Sequence, residues 1–404
     1  MINTLKTLCL RALSSLSTLG FTFLSTYLYG LKEVGSFALF LSLSSFVFFI
    51  IKFGMEMPLF VILTNNDNEN KIKTINEFKY LQNIIFLSFT FFLFLVNIFF
   101  NLDSPFLMCL TGFLMTKTIM NSFSIRAKGY TNLFVFLQLG NANLFAIFFL
   151  FISKLFSSSN PIIISFFLGN VILFLISTIA LKAVYRNDNS SLNVHSKIGN
   201  KNIFRNSFTY FCLDIINNIF TWTPLFVIFF LFSEVEQGIF LNIAKLGSVF
   251  IILLFILETI VMKDLAELSN KKLFSQISSM INVPKKQMIF LSILIFSLFI
   301  IFGDKIMFFI DKELIKYKFD LILYSLSQMI VLFFGPLALF MKVSGNQIAM
   351  RNIVAISSLV NVILAFILGQ YIGLSGIFIS AILGNIIWCI IALKFINNKY
   401  EINF

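Results

Sequence analysis

The segment Pro161–Val184, PIIISFFLGNVILFLISTIALKAV, carries one charge in 24 residues, Lys182, close to its end. At about 1.5 Å of rise per residue a helix of that length crosses the roughly 30 Å hydrocarbon core of a bilayer. A helix also satisfies its own backbone hydrogen bonds, as lipid requires. Outward from this segment the same pattern recurs between clusters of charge, Gly, Pro or Asn, and predicts twelve spans. The first six cover about 8–29, 36–63, 80–100, 105–125, 133–153 and 161–184. The second six cover about 207–232, 239–262, 288–310, 321–341, 352–371 and 374–395. Asp304 and Lys305 interrupt the ninth, which ends either at Ile310 or, if they stop it, near Phe302.

Composition agrees. Of 404 residues 58% are hydrophobic and 12% charged, against about a quarter charged in a typical soluble domain. That leaves too little polar surface to coat soluble domains and excludes disordered, collagenous and disulfide-scaffold classes. The predicted fold is an all-α polytopic membrane protein of about twelve transmembrane helices. The 56 phenylalanines read as lipid-facing filler under A/T-rich mutational bias rather than as a recognition surface. Cys9, Cys109, Cys212 and Cys389 sit at or inside apolar runs without Cys-x-x-Cys spacing, and the sole histidine, His195, lies in a polar loop. No metal site, disulfide framework, catalytic dyad or cofactor is expected, and no enzyme activity.

Lys and Arg set orientation in such chains. With twelve spans, 21 of the 30 fall on the side of the N-terminus and 6 on the other, while Lys52, Lys117 and Lys245 lie inside spans. Both termini are therefore expected in the cytoplasm. No signal-peptide cleavage pattern follows the first span. The longest cytoplasmic loops, around 185–206 and 263–287, are too short for a soluble catalytic domain.

An offset of 203 residues relates the two halves: Glu33-Val34-Gly35-Ser36-Phe37 stands opposite Glu236-Gln237-Gly238-Ile239-Phe240, and Leu43 opposite Leu246. Six spans per half give both halves the same orientation, so the expectation is two six-helix bundles, residues 1–200 and 201–404, with a cleft between. The offset also aligns two polar stripes: Arg11, Ser14, Ser15, Thr18, Thr22 and Ser25 share one helical face, as do Tyr210, Asp214, Asn217, Asn218 and Thr221. Ser and Thr commonly mediate helix packing in membranes, but two matched stripes ending in ionisable residues favour a wetted cleft.

A charge at the bilayer centre costs at least about 2.5–3.5 kcal/mol, so each one needs a partner or water. Lys52 and Glu56, four apart, can pair with each other, and with Gly54 and Pro58 they mark a kink. Lys117 and Lys245 have no acid within four residues and are the strongest functional candidates. Asp214 and Glu258 are the other acids in spans, each able to carry a coupling cation or to neutralise Arg11 or Lys263. Asn141, Asn143, Asn361 and Asn385 read as interhelical hydrogen-bond groups, and Arg126 and Arg351 open cytoplasmic ends where head groups bind or simply set topology. Buried cations outnumber acids, which suits an anionic substrate such as one carrying a pyrophosphate.

Twelve spans in two halves, the EVGSF opening of the second span, KFGME at its far end (52–56), and the late stretches KVSGNQIAMRNIVAISSLVNVILAF (342–366) and GLSGIFISAILGNIIW (373–388) together resemble the Wzx-type O-antigen and capsule polysaccharide flippases of the multidrug/oligosaccharidyl-lipid/polysaccharide (MOP) exporter superfamily. The resemblance implies a multi-pass protein of the bacterial inner membrane that moves undecaprenyl-pyrophosphate-linked oligosaccharide repeat units from the cytoplasmic to the periplasmic leaflet. It implies alternating access around a cationic cavity, with H⁺ or Na⁺ as the coupling ion. Carried onto this chain, Arg11, Lys52, Lys117 and Lys245, with Asn217 and Asn218 of the seventh span, would face the substrate. Asp214, Glu56 and Glu258 would be the coupling acids. The implied partners are the lipid-linked oligosaccharide and membrane lipids, together with a polysaccharide polymerase and a chain-length regulator, and no nucleic acid. Two alternatives stay open: a drug/cation antiporter of the same superfamily, which calls for an acid-dominated cavity, and a membrane-embedded polysaccharide polymerase, which calls for a large outer loop with catalytic Arg, Asp or His.

Overall fold

The computed structural model describes residues 2–65, 71–100, 104–155, 160–186, 207–208, 210–211, 224 and 226–400, and among these every regular element is helical. Helices α1 (Ile2–Lys52), α2 (Glu56–Asn65), α3 (Lys71–Phe100), α4 (Pro105–Ala127), α5 (Thr131–Phe136), α6 (Ala142–Leu155) and α7 (Pro161–Val184) come first. They are followed by α8 (Glu234–Gly247), α9 (Val249–Asn270), α10 (Ser275–Ile310), α11 (Lys318–Phe334), α12 (Leu337–Val343), α13 (Gln347–Ile372) and α14 (Leu374–Tyr400). Short 3₁₀ turns cover Leu139–Asn141 and Lys312–Tyr317. Eight segments among the described residues are long and apolar enough to cross a membrane.

Several predicted spans are interrupted. The long α1 holds the first span and most of the second, joined at Gly30, whose φ of 84° and ψ of 171° lie outside the helical region. A residue with a Cβ rarely adopts that backbone, so glycine lets two helices meet there. The second span breaks again at Phe53 and Gly54, both with positive φ, and resumes as α2. The kink expected from KFGME is thus a full break. The fifth span is divided between α5, a 3₁₀ turn and α6, and the tenth is cut at Gly335-Pro336 between α11 and α12. The ninth runs to Ile310, the first of its two expected ends, as α10, and Asp304 within it pairs with Lys318 across 2.6 Å. Most of the seventh span, including Asp214, Asn217, Asn218 and Cys212, lies outside the described residues, as does His195.

The chain forms two compact units. One consists of Met1–Ser25 and Phe37–Ile215, the other of Thr26–Ser36 and Ile216–Phe404. In the first unit, Phe21, Phe37, Phe40 and Phe166 build an aromatic centre with ring centroids 5.3 to 6.5 Å apart. Small residues bring α6 and α7 together, since a Cβ on Gly169 would lie 2.5 Å from the Ala142 carbonyl oxygen. In the second unit, Phe240 stacks on Phe378 at 5.3 Å. There α13 and α14 pack through Gly376, where a Cβ would lie 2.1 Å from the Leu368 carbonyl oxygen. Phenylalanine is therefore not only lipid-facing filler. Phe309 and Phe230 are exposed on the surface, but Phe21, Phe37, Phe40, Phe78, Phe250, Phe340 and Phe378 are fully buried core residues.

Candidate functional site

The break after α1 places Lys52 at the end of one helix and Glu56 at the start of the next. A cation at a helix C-terminus and an anion at an N-terminus each meet the favourable end of a backbone dipole. Their side chains join, Lys52 Nζ to Glu56 Oε1 at 2.5 Å, with side-chain exposures of 9% and 11%. The ammonium also lies 5.2 and 5.6 Å from the ring centres of Phe49 and Phe48. The approach of Ser207, Tyr210 and Phe211 shapes this corner. Phe211 stacks on Phe53 at 4.5 Å, and a Cβ on Gly54 would lie 2.4 Å from the Phe211 amide nitrogen.

Lys117, at the middle of α4, is 7% exposed. Its ammonium donates to the carbonyl oxygen of Lys79 at 3.1 Å and lies 5.0 Å from the Phe113 ring centre. No carboxylate pairs with it among the described residues. The rest of its helical face is occupied by α7: Asn121 donates to Ser177 Oγ at 3.0 Å, and Tyr185 donates through its hydroxyl to the Ser124 carbonyl at 2.9 Å. Lys117 therefore points into the first unit.

The polar stripe of α1 is also interior. Ser17 Oγ donates to the Gly140 carbonyl at 3.0 Å, and Asn143 Nδ2 donates to Thr18 Oγ1 at 3.0 Å. A Cβ on Gly140 would lie 2.1 Å from Ser14 Oγ, while Thr22 and Ser25 are buried. The wetted-cleft reading is thus corrected for Ser14 and Thr18, which pack against the 140–143 segment, while Thr22 and Ser25 are buried and bond back to the Thr18 and Phe21 carbonyls of their own helix. Arg11, one turn before Ser14, is exposed. The matching stripe lies outside the described residues except for Tyr210, which is exposed.

In the second unit, Lys245 is half-buried near the end of α8, and its ammonium has no hydrogen bond or ion pair among the described residues. Asn242, one turn earlier, is fully buried; it accepts from Thr26 Oγ1 at 3.0 Å and donates to the Gly238 carbonyl at 2.9 Å. Glu258 is half-buried in α9 and makes no ion pair with Lys245. Among the described candidate charges, Lys52 and Glu56 are joined to each other.

Three features escaped sequence reading. Gln82 of α3 is fully buried with neither amide atom paired among the described residues, and an amide in an apolar helix was the available signal. Buried Asp320 accepts from Ser375 Oγ, which joins the start of α11 to that of α14. Arg126 lies over two rings, Phe60 at 5.2 Å and Phe134 at 4.7 Å. No sequence spacing reveals this clamp, because the rings come from α2 and α5.

The chain shares its fold with solved transporters. It superposes on the lipid II flippase MurJ in an inward closed conformation with a TM-score of 0.72 at 17% identity, covering 96% of this chain and 87% of that one. An inward-facing multidrug resistance MATE family transporter of the MOP superfamily matches with a TM-score of 0.68 at 12% identity, covering 98% of both chains. The MATE multidrug transporter DinF-BH matches with a TM-score of 0.63 at 13% identity, covering 99% of this chain and 95% of that one. No protein-family model matches the chain. No curated protein matches it either.

Proposed function

We propose that this protein is a flippase that carries undecaprenyl-pyrophosphate-linked oligosaccharide repeat units, of O-antigen or capsule, from the cytoplasmic to the periplasmic leaflet of a bacterial inner membrane. The observation that carries this reading is Lys117: a cation held inside an apolar unit by one carbonyl and one ring, with no acid beside it among the described residues. Keeping an uncompensated charge in such surroundings costs stability, and attraction for an anionic group is a function that would retain it. Lys245, half-buried without an ion pair, supports the same reading. So does a fold shared with a protein described as a lipid II flippase. Arg11, Lys52, Asn217 and Asn218 complete the proposed substrate contacts. Glu56, Asp214 and Glu258 are the proposed acids for an H⁺ or Na⁺ coupling ion in an alternating-access cycle. The two six-helix halves, cytoplasmic termini and a neighbouring polymerase and chain-length regulator belong to the same proposal.

Deletion of the protein tests it. Lipid-linked repeat units should collect in the cytoplasmic leaflet, and mass spectrometry of that glycan would identify the sugar. Normal surface polysaccharide in the deletion strain overturns the reading. A second reading, a drug/cation antiporter, is favoured by the fold shared with multidrug MATE transporters. It expects a deletion strain that accumulates a cationic dye while exporting polysaccharide normally.

A further inference from the structure

Gln82 lies fully buried in α3 with neither amide atom hydrogen-bonded among the described residues. An orphaned amide in an apolar interior is costly, and where one persists it marks the place of a water or an ion. Lys79, one turn earlier, shares the helical face of Gln82. The Lys79 carbonyl oxygen accepts from Lys117 Nζ of α4 at 3.1 Å. A helix directs the carbonyl of one residue toward the residues three and four further on, so this contact brings the Lys117 ammonium to Gln82. An ammonium has three donors, and among the described residues Lys117 uses one.

Three cations lead to this place. Lys182 of α7 is exposed, Lys79 half-buried and Lys117 buried. The electrostatic neighbour of Lys117 is Lys79, and that of Lys79 is Lys182. No carboxylate pairs with any of the three among the described residues, and Glu77, two residues before Lys79, stands on the opposite face of α3. A water would satisfy the amide but leave the charges uncompensated, whereas an anion does both. The room is small. Phe86, one turn beyond Gln82, and Phe113, one turn before Lys117, close one end with ring centroids 4.3 Å apart. At the other end Asn121, one turn after Lys117, is tied to Ser177 Oγ of α7 at 3.0 Å. About one turn of each helix lies between, which suits a single ion rather than a lipid head group.

We propose that Lys79, Gln82 and Lys117 bind a monovalent anion of the size of chloride between α3 and α4, reached past Lys182. The anion would accept from the Gln82 amide and both ammonium groups, neutralising Lys117 while no substrate is bound. The site goes beyond the flippase reading, which concerns what Lys117 meets during transport.

The purified full chain in detergent, exchanged into sodium gluconate, would be titrated with sodium chloride or sodium bromide at constant ionic strength, with binding read from Tm. Both halides should raise Tm saturably, and gluconate should not. Gln82→Leu is expected to weaken the apparent halide affinity at least tenfold while Tm in gluconate holds or rises, because the orphaned amide is gone. A packing role for Gln82 would give the opposite pattern, a lower Tm in gluconate with the halide response intact. Lys271→Gln, which removes an exposed lysine paired with Glu267, should change nothing. Should Gln82→Leu misfold, Lys79→Gln is the second variant, expected to weaken halide binding severalfold. No saturable halide response in the unaltered protein, or an equal response in a folded variant, overturns the site and leaves the flippase reading standing. Normal polysaccharide in a deletion strain does the reverse.

Discussion

Gly35 and Gly238 make the same contact from opposite sides. A Cβ on Gly35 would fall 1.7 Å from the carbonyl oxygen of Glu234, and a Cβ on Gly238 would fall 2.1 Å from that of Leu31. Leu31 stands to Glu234 as Gly35 stands to Gly238, 203 residues earlier. A contact that survives exchange of its partners is the mark of a local twofold relation, and here it marks a close crossing of Leu31–Gly35 with Glu234–Gly238. Thr26 to Asn242 and, more loosely, Lys32 to Glu234 at 3.9 Å flank it.

At that crossing the obstacle is backbone, which cannot swing aside. Gly35→Ala and Gly238→Ala should each destabilise the protein by about 1–3 kcal/mol, the usual range for overpacking, seen as a lower Tm in detergent. Gly20→Ala is the comparison: its methyl would meet Ile147 Cδ1 at 3.6 Å, an ordinary contact, and Tm should hold or rise. Equal effects at all three positions would remove the argument.

The Lys52–Glu56 pair is buried on both sides, so removing one partner strands the other's charge. Lys52→Ala or Glu56→Ala should cost about 3–5 kcal/mol, whereas Lys52→Met with Glu56→Leu should recover most of that loss. A double-mutant cycle on thermal unfolding measures the coupling, and additive losses would show that the two groups act separately.

Lys117→Met should behave in the opposite way. With no acid to strand, replacing the ammonium by an apolar chain of similar length should leave Tm unchanged or raised, while export of lipid-linked repeat units falls at equal protein level. Lys245→Met should do the same. Full export by both variants would end the argument from buried cations.

Thr18→Val and Asn143→Leu test the stripe on α1. As packing residues, each should lose about 0.6–2 kcal/mol of stability, the range for a hydrogen bond between membrane helices, with export per folded molecule unchanged. Reduced export at normal Tm would restore a role in substrate passage.

Much of this was legible from apolar length and charge spacing. The helix Pro161–Val184 coincides with its predicted span, and the span at 105–125 ends two residues short of α4. The Lys52–Glu56 pair follows from four-residue spacing because helix geometry supplies the contact. The divisions at 137–141 and at Gly335-Pro336 were not read, since apolar length is blind to local backbone turns. The ambiguity at Ser14 and Thr18 was chemical: a hydroxyl that bonds a neighbouring helix and one that faces water look alike in sequence. The candidate acid Asp214 and the amides Asn217 and Asn218 lie outside the described residues.

The grouping of residues 26–36 with the second unit has a consequence for synthesis. This segment is made some 200 residues before the helix Glu234–Gly247 that its glycine packs against. At 5–20 residues per second the delay is on the order of 10 to 40 s. During that time a bend at Gly30 and a notch at Gly35 wait in the lipid for their counterpart. The early part of the chain therefore cannot finish folding as it emerges, and its last contacts close only when the nascent chain has passed its midpoint.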